Sequence, residues 1–161
     1  SLSRASEPPT FAEYVQRDPS GATRPQAGLD DQTAWTLELG TRGRIGGTRW
    51  EVTPYWAWVR DEYLSYQTAP GLTNTLNADR TIHAGVEAAL DLRLWGDDTH
   101  DVTLMQVWNW GRFHFDGDAV YGDNQLPGLP EHTWRSELRW QHINGWYAGA
   151  IAEWQIGRAH V

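Results

Sequence analysis

Cysteine is absent from the 161 residues, so neither a disulfide nor a thiolate metal site can be invoked. Methionine occurs once and phenylalanine three times, whereas tryptophan occurs eleven times. That mix suits a close-packed interior poorly, because every buried indole N–H needs a hydrogen-bond partner. Positive charge is also scarce. Thirteen Lys and Arg against 21 Asp and Glu give a formal net charge of -8, which excludes a nucleic-acid surface built from clustered cations. No apolar run approaches the roughly 18 residues of a membrane helix; the longest, at 54–59, is about six. A helical membrane protein is thereby excluded, but a β-barrel is not, since its strands carry a much weaker hydropathy signal. The chain contains no His-Glu-x-x-His, no Gly-x-Ser-x-Gly and no phosphate-binding glycine loop, and its six histidines are scattered. We therefore expect neither catalytic residues nor a cofactor nor a metal site.

What the chain does have is alternation. In "TIHAGVEAALDLRLW" at 81–95, Ile82, Ala84, Val86, Ala88, Leu90, Leu92 and Leu94 share one parity, and His83, Gly85, Glu87, Asp91 and Arg93 the other. A period of two makes a strand with one apolar and one charged face. Further strand-like segments read as 32–45, 48–67, 75–95, 101–115, 132–142 and 146–155, with a strand end at 1–5. Most exceed the usual 5 or 6 residues of a soluble strand. Helix is expected at most as a turn near 10–16. The connections at 46–47, 96–100 and 143–145 are short, whereas 6–31, 68–74 and 116–131 are long and rich in Pro, Gly and Asp. The expected fold is all-β, an antiparallel up-and-down meander of six or seven strands. Short turns at one end and long loops at the other are the asymmetry of outer-membrane barrels.

Register sharpens this reading. A two-residue turn at Gly46-Gly47 sets Arg42 opposite Glu51, Leu37 opposite Trp56 and Trp35 opposite Trp58, and puts the Trp50 ring over Gly43. A three-residue turn at 143–145 pairs Arg135 with Glu153 and Trp134 with Trp154. One face then carries Trp35, Trp50, Trp56, Trp58, Trp134, Trp140, Trp146 and Trp154, with Trp concentrated toward strand ends as in the aromatic girdles of a lipid-facing surface. The other carries Glu38, Arg42, Glu51, Glu87, Asp91, Arg93, Arg135, Glu137, Arg139 and Glu153, a wet face expected to point into a lumen. Two residues fit badly. Pro54 falls in mid-strand without a donor, and Gln106 falls among Val102, Leu104, Trp108 and Trp110; a bulge near either would restore the parity. The soluble alternative is a Trp-rich β-domain that binds carbohydrate by ring stacking, and it would bury Trp56, Trp58 and Trp140 in a core.

Several segments together resemble the C-terminal barrel of TonB-dependent outer-membrane receptors. "SRASEPPTFAEY" is similar to a strand end running into a Pro-Pro-Thr-Phe loop, "TAWTLELGTRG" to a Glu-Leu-Gly strand, and "TLNADRTIHAGVEAALDLRL" to a Gly-Val-Glu strand. "NQLPGLPEH" and "GWYAGAIAEW" are similar to the two elements that follow, so the resemblance spans nearly all of 1–155 in order. It implies a receptor of about 22 strands whose lumen holds an N-terminal plug, located in the bacterial outer membrane and surrounded by its lipid. Only about a quarter of such a barrel is expected here, with the plug and its TonB contact lying outside the chain. The implied function is uptake of a scarce large solute, most often a ferric siderophore, driven through TonB. A passive porin or other barrel is the alternative within membrane proteins.

The opening "SLSRA" reads as the end of a strand, so we expect an excised piece and draw nothing from the lack of a leader. The last six residues, "IGRAHV", match the translation of a widely used sequencing adapter, so 156–161 is expected to be a non-native tail following a barrel segment at 1–155. Within the resemblance, Gly85 and Glu87 are read structurally, as lumen-side space and an ion-pair partner. "DGDAVYGD" at 116–123 has acidic spacing like a calcium loop but lacks the remaining ligand pattern and closing Glu, and is read as a solvated connection. Tyr121, with Arg112 and His114 before it, is the candidate grip for an aromatic or anionic chelate.

Overall fold

Ladders of backbone hydrogen bonds between successive strands dominate the computed structural model, which describes the chain except residues 18, 19, 21, 27, 71 and 159–161. The strands are β1 (Leu2–Glu7), β2 (Val15–Arg17), β3 (Thr23–Pro25), β4 (Gln32–Glu38), β5 (Thr41–Ile45), β6 (Thr48–Ala69), β7 (Leu72–Gly96), β8 (His100–Phe115), β9 (Pro130–His142) and β10 (Tyr147–Arg158). One sheet of eight strands runs in the order β1-β4-β6-β7-β8-β9-β10, with β5 also pairing β6; β2 and β3 form a separate two-stranded sheet. Apart from the interposed β2–β3 pair and the break between β4 and β5, which both pair with β6, successive strands are neighbours in the sheet, as in an up-and-down meander. The described residues include one short helix, α1 (Phe11–Tyr14), opened by a capping box in which Thr10 and Glu13 satisfy each other's backbone N–H.

The chain divides into two units, residues 1–37, 56–83 and 113–125, and residues 38–55, 84–112 and 126–161. The first carries β2, β3, α1, the tip between β6 and β7 and the start of the connection after β8. The second carries the three short turns.

Within the second unit both expected turns form. Ile45 pairs with Thr48, Arg42 with Glu51 and Gly43 with Trp50, so Gly46-Gly47 is a two-residue turn, with Gly46 at φ 60°. A Cβ on Gly43 would stand 2.7 Å from the Trp50 ring, which lies over the bare backbone. At the other hairpin His142 N–H donates to Trp146 C=O at 2.8 Å, leaving residues 143–145 as the turn, with Gly145 at φ 90°. Arg135 pairs with Glu153 and Trp134 with Trp154. Arg135 Nη1 lies 3.0 Å from Glu153 Oε1 and Nη2 lies 3.4 Å from Glu137 Oε2. Arg42 and Glu51 stand opposite without closing an ion pair. At the turn between β7 and β8, Asp97 accepts the N–H groups of Thr99 and His100, both at 2.7 Å.

Three expectations need correction. Residues 32–45 are two strands, because Pro54 has no N–H to return: Leu39 N–H donates to Pro54 C=O at 3.0 Å, the reciprocal bond cannot exist, and the strand breaks at Leu39-Gly40. Residues 68–74 are not a long loop, since β6 reaches Ala69 and β7 starts at Leu72. The third concerns Gln106. The β8–β9 register runs without a bulge from His100↔His142 to Trp110↔His132, so Gln106 stays on the Trp face. It is satisfied there, its Oε1 accepting from Trp134 Nε1 at 2.6 Å and from Ser136 Oγ at 2.7 Å. The first connection, expected to be long with at most a helical turn near 10–16, holds α1 and the β2–β3 pair. At the other end of the chain the ladder sets Ile156 opposite His132 and Arg158 opposite Pro130, and 159–161 lie outside the described residues.

The Trp face is not a core. Trp56 is 41% exposed and Trp58 46%, while Trp134, Trp146 and Trp154 are also exposed. The buried hydrophobic set is small and made largely of Ala57, Val59, Ala78 and Ala84 with Phe115 and Leu126, which cannot serve as the interior of a soluble sandwich.

Replacing Gly43 by Val should cost about 1–3 kcal/mol, because the new side chain must displace the Trp50 ring. Glu153→Gln, which breaks an exposed pair, should cost less than about 1 kcal/mol. Denaturant unfolding of the full-length protein in detergent measures both, and a larger loss for Glu153→Gln than for Gly43→Val contradicts this assignment.

Candidate functional site

The connection after β8 is the candidate ligand surface, and its acidic residues are used to fold it. Asp118 Oδ1 accepts the N–H of Val120 at 2.8 Å and of Tyr121 at 2.9 Å, an Asx turn. Asp118 and Gly122 exchange backbone hydrogen bonds at 3.0 and 2.9 Å, and Asp123 Oδ1 accepts Gly117 N–H at 2.9 Å. The N–H groups of Tyr121 and Val120 hold the Asp118 carboxyl below the usual aspartate range. Asp118 and Asp123, whose spacing is like that of a calcium loop, are thus acceptors for the loop's own backbone, in line with a solvated connection. The turn ends by stacking Tyr121 on Phe115, ring centroids 4.9 Å apart and planes at 20°, while Phe115 N–H donates to Asn124 C=O at 3.0 Å. Tyr121 remains half exposed.

The three candidate ligand contacts are not presented together. Along β8, Arg112 and His114 keep the parity of Trp108 and Trp110, whereas Phe115, under Tyr121, has the opposite parity. Arg112 is exposed. His114 bridges Gln125, and its Nδ1 is buried without a hydrogen-bond partner among the described residues.

The charged face is partly a ladder of ion pairs. Besides Arg135, Arg93 pairs with Asp101, and Arg139 lies over the Tyr147 ring at 5.8 Å. Glu87 is exposed and pairs with no cation among the described residues; Asp91 is half-buried. Gly85 has a definite reason: a Cβ there would meet Trp110 C=O at 2.3 Å and the Tyr55 hydroxyl at 2.6 Å. The space expected beside it is filled by Tyr55.

Sequence reasoning missed two clusters in the first unit. Glu62 Oε2 accepts from Thr81 Oγ1 and lies 3.0 Å from His83 Nε2, and the His83 ring meets Phe113 edge-on at 4.9 Å. Asp61 takes φ 57°, which breaks the alternation of β6 after Trp58 and Arg60 and turns Glu62 toward Thr81 and His83. Nothing in "VRDEY" marks that kink beyond an aspartate's tolerance of this conformation. In the second cluster, Asn77 Nδ2 donates to Asp61 C=O at 2.6 Å and to Asp30 C=O at 3.1 Å. Asp30 N–H donates back to Asn77 Oδ1 at 2.9 Å. The Tyr63 hydroxyl accepts Gln32 N–H at 3.1 Å, with the Glu7 and Asp30 carbonyls at 3.0 and 2.9 Å. These contacts tie both ends of the first long connection to β6 and β7.

Comparison with known proteins agrees with this topology. The family model described as TonB dependent receptor-like, beta-barrel, matches residues 1–159. Among solved structures, one described as the copper transporter OprC superposes with a TM-score of 0.67 at 19% identity, covering 94% of this chain. The chain spans 22% of that protein's length, and at such identity the likeness is one of fold. With the family model covering almost every residue of an antiparallel meander that the fold independently displays, the chain belongs to the TonB-dependent receptor β-barrel family.

Proposed function

We propose that this chain is part of the barrel wall of an outer-membrane importer, with its Trp face against lipid and its charged face toward the lumen. The observation that carries this reading lies in the second unit, where aromatic clusters bracket an apolar band. His100 stacks with Trp95 and Trp140 at 5.8 and 5.7 Å, and Trp140 Nε1 donates to His100 Nδ1 at 3.2 Å. Further along β8 and β9, Trp108 stacks on His132 at 5.9 Å. The two clusters are eight to ten positions apart, roughly 26–33 Å of strand at ~3.3 Å per residue. At a strand tilt of about 40° that gives roughly 20–25 Å of height, which fits the apolar band of a barrel between its two interfaces. Indole and imidazole suit those interfaces because each joins an oily ring to a polar nitrogen.

The family is one of transporters and receptors of the outer membrane rather than of enzymes. For the whole protein we favour uptake of a ferric siderophore or a comparably large chelate, powered through TonB acting on a plug. The name of the structural neighbour raises copper as a substrate. No group of three metal-ligating side chains occurs among the described residues. Tyr121, stacked on Phe115 and half exposed, is the favoured ligand contact in this segment, whereas Arg112 and His114 lie on the Trp parity of β8, the one assigned to lipid.

Uptake of a radiolabelled ferric chelate by cells carrying the full-length protein should require TonB. Undiminished uptake in a strain lacking TonB points instead to passive diffusion. Tyr121→Ala should weaken chelate binding, measured by titration calorimetry, and Arg112→Ala, on the Trp parity, should not, with the amount of assembled barrel unchanged in both. Unchanged affinity in Tyr121→Ala returns the loop to a plain solvated connection.

The turn that presents Tyr121 also has a defined pH response. Because the folded-state pKa of Asp118 is lowered, its contribution is present above the ordinary aspartate value of about 3.9 and is lost as pH falls through the lower folded value. The Tyr121–Phe115 stack should therefore persist at pH 5, and Asp118 followed by carbon-detected NMR should titrate below the ordinary aspartate value. Titration at or above the ordinary value contradicts the Asx turn.

A further inference from the structure

In the first unit an open cleft of about 660 Å³ gathers three of the chain's few cations. Arg4, Arg60 and Arg80 line it together with Trp35, Trp58 and Val59, so a cationic rim surrounds an aromatic and aliphatic floor. All three arginines are exposed. Arg4 lies over the Trp35 ring at 5.9 Å, its partner across the β1–β4 ladder. Neither Arg4 nor Arg60 has a carboxylate within ion-pair distance among the described residues. Arg80 has only Asp116, at a long 3.9 Å with both side chains nearly half exposed, a pair too weak to commit the guanidinium.

The spacing within the strands shows what this rim is for. On β1 apolar Leu2 is followed one period later by Arg4, on β6 Trp58 by Arg60, and on β7, read in the reverse direction, Ile82 by Arg80. On each strand the step leads away from the second unit's short turns, toward the connection after β1 or toward the β6–β7 connection. Each is roughly 6–7 Å of strand, the distance from the edge of an acyl layer to its headgroups. A guanidinium presents a planar fork of donors that matches phosphate oxygens, and its stem and the neighbouring indoles can stay in contact with chains.

We infer that this cleft binds the anionic phosphate headgroup of a lipid, with the acyl chains lying along the Trp face. The inference rests on the proposal that this face meets the bilayer. The occupant follows from the charge and apolarity of the cleft together: a free anion would use the arginines and leave the exposed indole floor uncovered, whereas a neutral lipid would leave the arginines unanswered.

The test uses the full-length protein reconstituted into phosphatidylcholine vesicles with or without phosphatidic acid, followed by native mass spectrometry of the lipids retained on extraction. The wild-type protein should retain phosphatidic acid over phosphatidylcholine. The triple variant Arg4→Gln, Arg60→Gln, Arg80→Gln should lose about tenfold or more of that preference, as expected for loss of charge-assisted hydrogen bonds. The corresponding triple Lys variant, which keeps the charge, should retain part of it. Millimolar inorganic phosphate should compete poorly. Displacement of the lipid by inorganic phosphate alone would identify a free-anion site and overturn the proposal. Incorporation into both vesicle types with no preference for phosphatidic acid would sink the cleft assignment alone. Failure of the wild-type protein to incorporate into either vesicle would sink the membrane reading on which it rests.

Discussion

Register between neighbouring strands is the constraint on which the rest of this structure depends. Each long strand alternates its side chains, so a slip of one residue would exchange the Trp set for the charged set. The ladder prevents this by pinning each hairpin at a turn of fixed length, Gly46-Gly47 in one case and residues 143–145 in another. Cross-strand pairs then follow rather than lead. Arg135 meets Glu153 and Trp134 meets Trp154 because the turn leaves them opposite, and the exposed ion pair adds only a little to what the backbone bonds already specify. Arg42 and Glu51, held in the same register without an ion pair, make the same point.

Departures from strict alternation are informative because each has a local chemical solution. Pro54 removes one ladder bond, and the break appears on the partner strand at Leu39-Gly40. Gln106 remains on the Trp face and answers an indole and a serine hydroxyl there, so a polar group sits on that face without an unsatisfied oxygen. Asp61 spends a left-handed conformation and thereby turns Glu62 toward His83. In the loop after β8 the acidic residues satisfy the loop's own N–H groups, and the rigid turn that results holds Tyr121 on Phe115.

These details also mark what was legible in the chain. Alternation in 81–95, the diglycine turn and the Ile-Asn-Gly turn all act locally, so most strands and both hairpin registers could be read directly. The segment 68–74 could not, because its Pro, Gly and Asn composition reads as a loop while β6 runs to Ala69 and β7 begins at Leu72. The contacts of Tyr63 and Asn77 with residues 30–32 span dozens of positions and leave no periodic trace. The candidate ligand residues show the same limit. Their types were readable, but the parity that separates Arg112 and His114 from the residue beneath Tyr121 matters only once the loop is folded back on Phe115.

The central claim is that the two parities of β8 and β9 meet different media. It can be measured with single cysteines, since this segment contributes none of its own. In a cysteine-free version of the full-length protein in native outer membranes, Leu104→Cys and Leu138→Cys would carry a nitroxide on one parity, and Thr103→Cys and Arg139→Cys on the other. The account predicts that the first pair is relaxed by oxygen dissolved in lipid and shielded from an aqueous nickel complex. The second pair should show the lower oxygen-to-nickel accessibility ratio of a watered lumen. Equal ratios on both parities, or the reverse order, would contradict it.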